Sequence, residues 1–186
     1  LSDPEGLDVD SAGNVYVADL DQNVVLKFAP GSKSGVTVAG GNGAGSRADQ
    51  LDRPEGVAVD ASGAIYVADS GNQRVMRWAP GARSGELVAG GNDQGPGLNQ
   101  LNFPSDLAVD ATGNLYIVDN PYRRILKWAP GASEGVAVNP PDHMVINGEA
   151  YSQLIGPVDV AVDAAGVVYV VDADKREVYK FAPGSR

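Results

Sequence analysis

Leu51 to Asp69 reads LDRPEGVAVDASGAIYVAD, and the chain repeats it with small changes from Leu1 (LSDPEGLDVDSAGNVYVAD), Leu101 (LNFPSDLAVDATGNLYIVD) and Leu154 (LIGPVDVAVDAAGVVYVVD). The copies start 50, 50 and 53 residues apart. Self-similarity at a fixed period sets the architecture ahead of any local propensity, because one unit can bury its apolar surface only against its neighbours. A period of this length is too long for a helical repeat and suits one four-stranded blade. The chain is read as a single domain, 1–186, with repeats 1–50, 51–100, 101–153 and 154–186.

Within the second repeat, Gly56-Val57-Ala58-Val59-Asp60 is an apolar run opened by Pro54 and closed by the turn Asp60-Ala61-Ser62-Gly63. Ala64-Ile65-Tyr66-Val67-Ala68-Asp69 follows at once, and two β-prone runs around a tight Gly turn read as a hairpin. A second turn, Asp69-Ser70-Gly71-Asn72, leads into Arg74-Val75-Met76-Arg77-Trp78, and Ala79-Pro80-Gly81 separates that run from Glu86-Leu87-Val88-Ala89. The unit is a meander of four strands, a to d, and the Gly-rich stretch from Gly90 to Gln100 returns to the next strand a. Strands a and b are apolar on both faces, so both faces must be covered. Strand c interleaves Arg74 and Arg77 with Val75 and Trp78, as a strand nearer solvent does. Sheets covered on both faces and arranged about an axis make a β-propeller. The fold class is all-β, with four four-stranded blades of which the last lacks its outer strand, in a small closed ring or as part of a larger ring. A β-sandwich gives no reason to repeat a sequence at this period.

The apolar residues, 43% of the chain, fall in short runs with no stretch long enough to span a bilayer as a helix. The net charge of −10 disfavours nucleic acid, whose binding draws on Lys and Arg that displace counterions. With no Cys there is neither a disulfide framework nor a thiolate zinc site. Residue 1 stands just before a strand a and Arg186 just after a strand c, so neither end supplies the missing strand. The expectation is a fragment of a longer array or an array completed by another chain, including a homo-oligomer that completes the propeller.

From Pro54 to Val75 the pattern P-x-G-V-x-V-D-x-x-G-x-I-Y-V-x-D, followed by a turn and N-x-R-V, closely resembles the NHL repeat, and the resemblance extends over essentially the whole chain. It implies a propeller, and by likeness to known members a ring of six blades. It says little about activity, because the same scaffold carries lyases, RNA binders, sensors and protein-interaction modules. Ser105-Asp106 and Val158-Asp159 replace x-G after the proline in repeats three and four, and Gln22-Asn23-Val24, Tyr122-Arg123-Arg124 and Lys175-Arg176-Glu177 stand where repeat two has the N-x-R turn. The scaffold's extracellular style leads us to expect an extracellular or periplasmic protein.

Residues that recur in every unit are assigned to the fold. Asp10, Asp60, Asp110 and Asp163, and likewise Asp19, Asp69, Asp119 and Asp172, sit at strand ends where a carboxylate accepts backbone N–H groups. Tyr16, Tyr66, Tyr116 and Tyr169 and the set Phe28, Trp78, Trp128 and Phe181 are assigned to blade-to-blade packing. The loops Gly40 to Gly45 and Gly90 to Gly95 lack a following helix and a Gly-Lys-Ser/Thr ending, so they read as turns and not as phosphate cradles. Asp19-Leu20-Asp21-Gln22-Asn23 opens like a calcium loop but places Val24 where a Gly is needed and Pro30 where the closing carboxylate belongs.

Residues that vary between units carry the functional expectations. Glu5, Glu55, Asp106 and Asp159 stand just before strand a, where a propeller chain nears its channel, and make a candidate ligand site for Ca²⁺ or a cationic group. In repeat three, Tyr122 and Arg123 in the b–c turn and His143, Met144 and Tyr151 in the long return loop make a candidate partner-binding surface.

One His cannot supply the His-rich zinc site of the amidating lyases that the resemblance brings in, and no nucleophile elbow accompanies it. No catalytic residue is assigned and no cofactor beyond Ca²⁺ is expected. The favoured function is a non-enzymatic binding or assembly module that recognises a protein, peptide or glycan through its loops and channel mouth, with no membrane insertion. The alternatives are a divalent-cation-dependent lactonase-like or lyase-like propeller enzyme and a purely structural self-assembling repeat.

Overall fold

The computed structural model describes residues 1–138, 144–146, 149–151 and 154–183, with the backbone alone in 144–146 and 149–151. The first blade is β1 (Pro4–Val9), β2 (Val15–Asp19), β3 (Val24–Phe28) and β4 (Val36–Gly40), hydrogen-bonded in that order. The second is β5 (Pro54–Val59), β6 (Ile65–Asp69), β7 (Arg74–Trp78) and β8 (Glu86–Gly90), and the third is β9 (Asp106–Val109), β10 (Leu115–Asp119), β11 (Arg124–Trp128) and β12 (Val136–Ala137). A two-stranded ladder, β13 (Met144–Ile146) with β14 (Glu149–Tyr151), then precedes a three-stranded fourth blade of β15 (Pro157–Val162), β16 (Val168–Asp172) and β17 (Glu177–Phe181). The four blades form a β-propeller in which the inner strands β1, β5, β9 and β15 follow one another around the channel. The long return loop of the third repeat thus contains a ladder pairing Met144 with Tyr151 and Ile146 with Glu149. Among the described residues, no helix is long and apolar enough to cross a membrane.

Each blade interface is built from the same positions. Tyr16, Ala18 and Val25 of the first blade pack with Val57, Ile65, Val67, Met76 and Trp78 of the second. Tyr66, Ala68 and Val75 meet Leu107, Leu115, Ile117, Leu126 and Trp128, and Tyr116, Val118 and Ile125 meet Val160, Val168 and Val170. Trp78 and Trp128 are 1% and 2% exposed, and each such buried side chain contributes on the order of 1.5–3 kcal/mol. Tyr16, Tyr66, Tyr116, Trp78 and Trp128 pack between blades, as their repetition implies, with Phe181 against the third junction, whereas Phe28 and Tyr169 lie outside these clusters.

The recurrent aspartates also do what their positions imply. Asp110 accepts the backbone N–H groups of Thr112 and Asn114 at 2.9 Å each, and Asp60 those of Ser62 and Ala64. These bonds close an a–b turn whose Gly takes a positive φ, +82° at both Gly63 and Gly113. Asp69 and Asp119 are fully buried and tie the b–c turn to the start of their own repeat, accepting the N–H of Asp52 at 2.7 Å and of Asn102 at 3.1 Å. The left-handed residue of the b–c turn is Gln73 (φ +56°) and not Gly71, whose own role is space. A Cβ at Gly71 would lie 2.8 Å from the Asp52 carbonyl oxygen.

Candidate functional site

Strand a begins earlier than its apolar run suggests, because β1 and β5 include Pro4 and Pro54. The register breaks between Pro4 and Leu7, between Pro54 and Val57, and between Pro157 and Asp159. An extra residue in one strand re-aims side chains that regular pleating would bury. Glu5 and Glu55 stand in such breaks, so the expected carboxylates lie within the inner strands and not ahead of them. They are not all equivalent either: Glu5 and Glu55 align with Ser105 and Val158, whereas Asp106 and Asp159 align with Gly6 and Gly56.

Despite that offset, all four carboxylates line one cavity of about 460 Å³ at the channel mouth, together with Gly6, Leu7, Ser105 and Val158. Below it, β5, β9 and β15 and the end of β1 line a second space of about 360 Å³ along the channel. The Gly-to-Asp exchange has a packing cause. A Cβ at Gly56 would lie 2.7 Å from Asp106 Cα, so the second and third blades meet backbone to backbone there. At the next step Asp106 fills that position and its Oδ2 accepts the Val160 N–H at 2.9 Å, bridging the third and fourth blades. Asp8 bridges the first and second blades in the same way, accepting the Val59 N–H at 2.7 Å.

The electrostatics follow from burial. Desolvation pushes the Asp106 carboxyl up to about 8, reinforced by Asp159 beside it and opposed by the Val160 N–H. Burial also raises Glu55, with the Glu5 charge adding to the shift, while Arg53 and the Ser70 hydroxyl oppose it. The cavity is therefore an electronegative pocket that favours protons or cationic groups. Among the described residues, however, no three His, Cys, Asp or Glu side chains come together closely enough to hold a metal ion.

Antiparallel topology puts the b–c turns and return loops on the same face as the mouth. Tyr122, at the end of the 3₁₀ turn Asn120–Tyr122, is 36% exposed and lies over the Arg124 guanidinium at 5.2 Å. Arg123 follows in a left-handed conformation (φ +54°). Of the other residues expected to contact a partner, His143 lies outside the described residues, as do the side chains of Met144 and Tyr151. Phe103 and Arg53 are rim residues that the sequence reading missed. Both take positive φ, +47° and +50°, and their N–H groups are held by Gln73 Oε1 at 2.6 Å and Asn23 Oδ1 at 2.8 Å from the preceding blade. The available signal was variability: Asp3, Arg53, Phe103 and Gly156 occupy one aligned position just before the proline.

The Gly-rich loops are closed by their own polar groups. Gln50 and Gln100 donate to the Asn42 and Asn92 carbonyls at 2.9 Å each, leaving a packed turn and no anion cradle.

A family model for the NHL repeat matches residues 51–77. No curated protein matches the chain significantly. Among solved structures the chain is similar to a nidogen/laminin complex, with a TM-score of 0.73 and 21% identity over 98% of this chain and 61% of that one. It is also similar to a streptogramin B lyase (TM-score 0.56, 13% identity, 95% of this chain and 53% of that one). A third is a catalytically inactive virginiamycin B lyase from Staphylococcus aureus with quinupristin (TM-score 0.57, 14% identity, 98% and 56%). The chain spans between 53% and 61% of the length of these structures. At such identities the likeness is one of fold, and it includes a binding complex as well as lyases.

Proposed function

We propose, from the premise that this chain is an array of NHL-repeat propeller blades, that it is a non-enzymatic binding module whose channel mouth takes a basic segment of a protein partner. The observation that carries this reading is the convergence of Glu5, Glu55, Asp106 and Asp159, one from each blade, on a single cavity. Four rigid sheets fix those carboxylates relative to one another, so a Lys or Arg side chain meets a preorganised field and not a set of mobile surface charges. Arg53, Phe103 and Tyr122 stand on the same face and provide the variable rim around it. The nidogen/laminin complex among the similar structures supports partner binding as a use of this fold.

The test is titration of fluorescein-labelled peptides of equal length, one Lys-rich, one Glu-rich and one neutral, followed by fluorescence polarisation. Saturable binding of the Lys-rich peptide alone, weakened at least tenfold in the Glu55→Gln, Asp159→Asn double variant, supports the reading. Absence of saturable binding, or equal binding by the variant, overturns it. The lyases among the similar structures favour an enzymatic second reading, which divalent-cation-dependent turnover of a lactone panel would support.

A further inference from the structure

The four blades do not present the same pair of residues at the mouth. The first two present Glu5-Gly6 and Glu55-Gly56, the next two Ser105-Asp106 and Val158-Asp159. The glycines let the inner strands close up: a Cβ at Gly6 would lie 2.9 Å from Gly56 Cα, and one at Gly56 would lie 2.7 Å from Asp106 Cα. That side of the cavity is walled by backbone in contact, whereas Ser105, Asp106 and Asp159 form a polar corner between the third and fourth blades. Asp106 commits Oδ2 to the Val160 N–H at 2.9 Å and has Asp159 within hydrogen-bonding reach. Two carboxylates side by side in a buried place call for a proton or a cation between them. Ser105 Oγ is shut off from solvent and finds no hydrogen-bond partner among the described residues, although the nearby Ser70 hydroxyl donates to the Pro104 carbonyl. A hydroxyl left in this way is unfavourable until something bonds to it. Rotation about χ1 turns it to the cavity that Ser105 lines.

We propose that this corner is a subsite for a primary ammonium, the ε-amino group of a Lys on the partner, held by Asp106, Asp159 and the Ser105 hydroxyl; the inference rests on the binding reading above and selects Lys over Arg within it. Donor count and shape decide the selection. An ammonium is compact and carries three N–H donors that diverge from one nitrogen, and the corner offers three acceptor groups from two adjacent blades. A guanidinium spreads five donors in a rigid plane and suits the two oxygens of one carboxylate. Asp106 has already given Oδ2 to Val160, which leaves only Asp159 to meet a guanidinium in that way. A quaternary ammonium brings charge without donors and leaves the Ser105 hydroxyl as unpaired as before. Glu5 and Glu55 add negative charge from across the cavity without being needed as acceptors.

The probe is n-butylammonium, a Lys side chain without its backbone, titrated to 50 mM at pH 7 and constant ionic strength into the isotope-labelled 186-residue chain while the amide resonances of Ser105, Leu107 and Val160 are followed by NMR. Saturable shifts at these amides are expected, with n-butylguanidinium and n-butyltrimethylammonium binding at least tenfold more weakly. Ser105→Ala should weaken n-butylammonium about tenfold without lowering the melting temperature, since the hydroxyl it removes has no partner to lose. The subsite is overturned by no shift at 50 mM, by shifts centred on Gly6 and Gly56 instead, or by equal affinity for the three cations. Unaltered binding or a lower melting temperature in Ser105→Ala overturns it as well, as does Ca²⁺ acting where n-butylammonium does not. Lys-rich and Arg-rich fluorescein-labelled peptides on the same protein distinguish the subsite from the module. Equal binding of both peptides overturns the subsite and leaves the module standing, whereas n-butylammonium bound at Ser105 with neither peptide bound overturns the module and leaves the subsite.

Discussion

Arg74 donates from Nε to Asp69 Oδ2 at 2.7 Å, and its remaining nitrogens reach the carbonyl oxygens of Ser46, Arg47 and Gln50 in the return loop that leads into the same repeat. Arg124 repeats the arrangement with Asp119 and the carbonyls of Gly95, Pro96, Gly97 and Gln100. Asp69 and Asp119 have no exposure, and burial raises their carboxyls against the pull of these hydrogen bonds. The Arg thus ties three parts of the unit together: the end of strand b, the start of strand c and the loop from the previous blade.

Removing one partner from a buried pair leaves the other charge unsatisfied, so Arg74→Ala is expected to destabilise the protein by about 3 kcal/mol in urea unfolding. Arg74→Lys recovers little of that loss, because one ammonium cannot span a carboxylate and several carbonyls that a planar fork reaches together. Equal stability of the Lys variant and the parent chain would show that charge alone matters at this position.

Asp106 gives stability a pH dependence of definite sign. Its carboxyl in the folded protein is raised to about 8, above the ordinary value near ~3.9. The folded state therefore holds a proton that the unfolded chain releases. Its contribution is fully present below about pH 4 and declines as pH rises through about 8. Asp106→Asn should flatten the fall in melting temperature between pH 5 and pH 9 relative to the parent chain. Parallel curves would place the proton elsewhere.

Asp10 and Asp110 act in the opposite direction. Hydrogen bonds from Asn14 hold Asp10 down at about 2, and Asp110 stays at about 2 because bonds from Asn114 and Thr112 outweigh its partial burial. Stability from these two turns is present above about pH 4 and is lost as pH falls toward 2. Asn114→Ala removes the side-chain donor to Asp110 Oδ2, and should move the acid-unfolding midpoint to higher pH with little change at pH 7 beyond the lost bond. An unchanged midpoint followed by circular dichroism would count against this source of acid resistance.

Gly56 tests the close approach of blades. An Ala there puts its Cβ 2.7 Å from Asp106 Cα and 3.1 Å from the Leu107 nitrogen, and backbone on both sides leaves nothing flexible to yield. The expected loss is about 1–3 kcal/mol, seen as a lower urea midpoint. Gly131→Ala has nothing within 4 Å of its new Cβ, so it isolates the backbone cost of replacing a left-handed Gly. A loss at Gly56 no greater than at Gly131 would mean the blades can separate there without penalty.

The four-blade plan was legible because each unit carries its own punctuation: a proline, an Asp-x-x-Gly turn and a b–c turn at fixed offsets. Residues identical in every unit, such as Asp69 and Tyr66, were correctly assigned to the fold. The convergence of Glu5, Glu55, Asp106 and Asp159 was also legible, since all lie near the start of an inner strand. Their offset was not, because a register break leaves little mark in a sequence that already contains Pro and Gly. The partners of Arg74 were hidden for a different reason: its acceptors are backbone carbonyls 24 to 28 residues away, and any residue type supplies a carbonyl. The hydrogen bond from the Phe103 N–H to Gln73, 30 positions apart, likewise becomes visible only when one blade is set beside the next.

Phe103 holds a backbone conformation that an L-residue adopts at a cost, with φ at +47° and the residue 47% exposed. Because Phe and Ala both carry a Cβ that opposes this conformation, Phe103→Gly should be more stable than Phe103→Ala by about 1 kcal/mol. Val178, 67% exposed in β17, whose pairing with β16 runs without a register break, is the control, and there Gly should be the less stable replacement by about 0.5–1 kcal/mol. The comparison cancels loss of the ring, since both Phe103 variants lack it. If thermal melts rank the two replacements alike at both positions, the left-handed geometry at Phe103 carries no strain. If the order reverses as expected, Phe103→Gly keeps the backbone and removes only the ring, and the affinity of that variant for the Lys-rich peptide reports what the aromatic contributes at the rim.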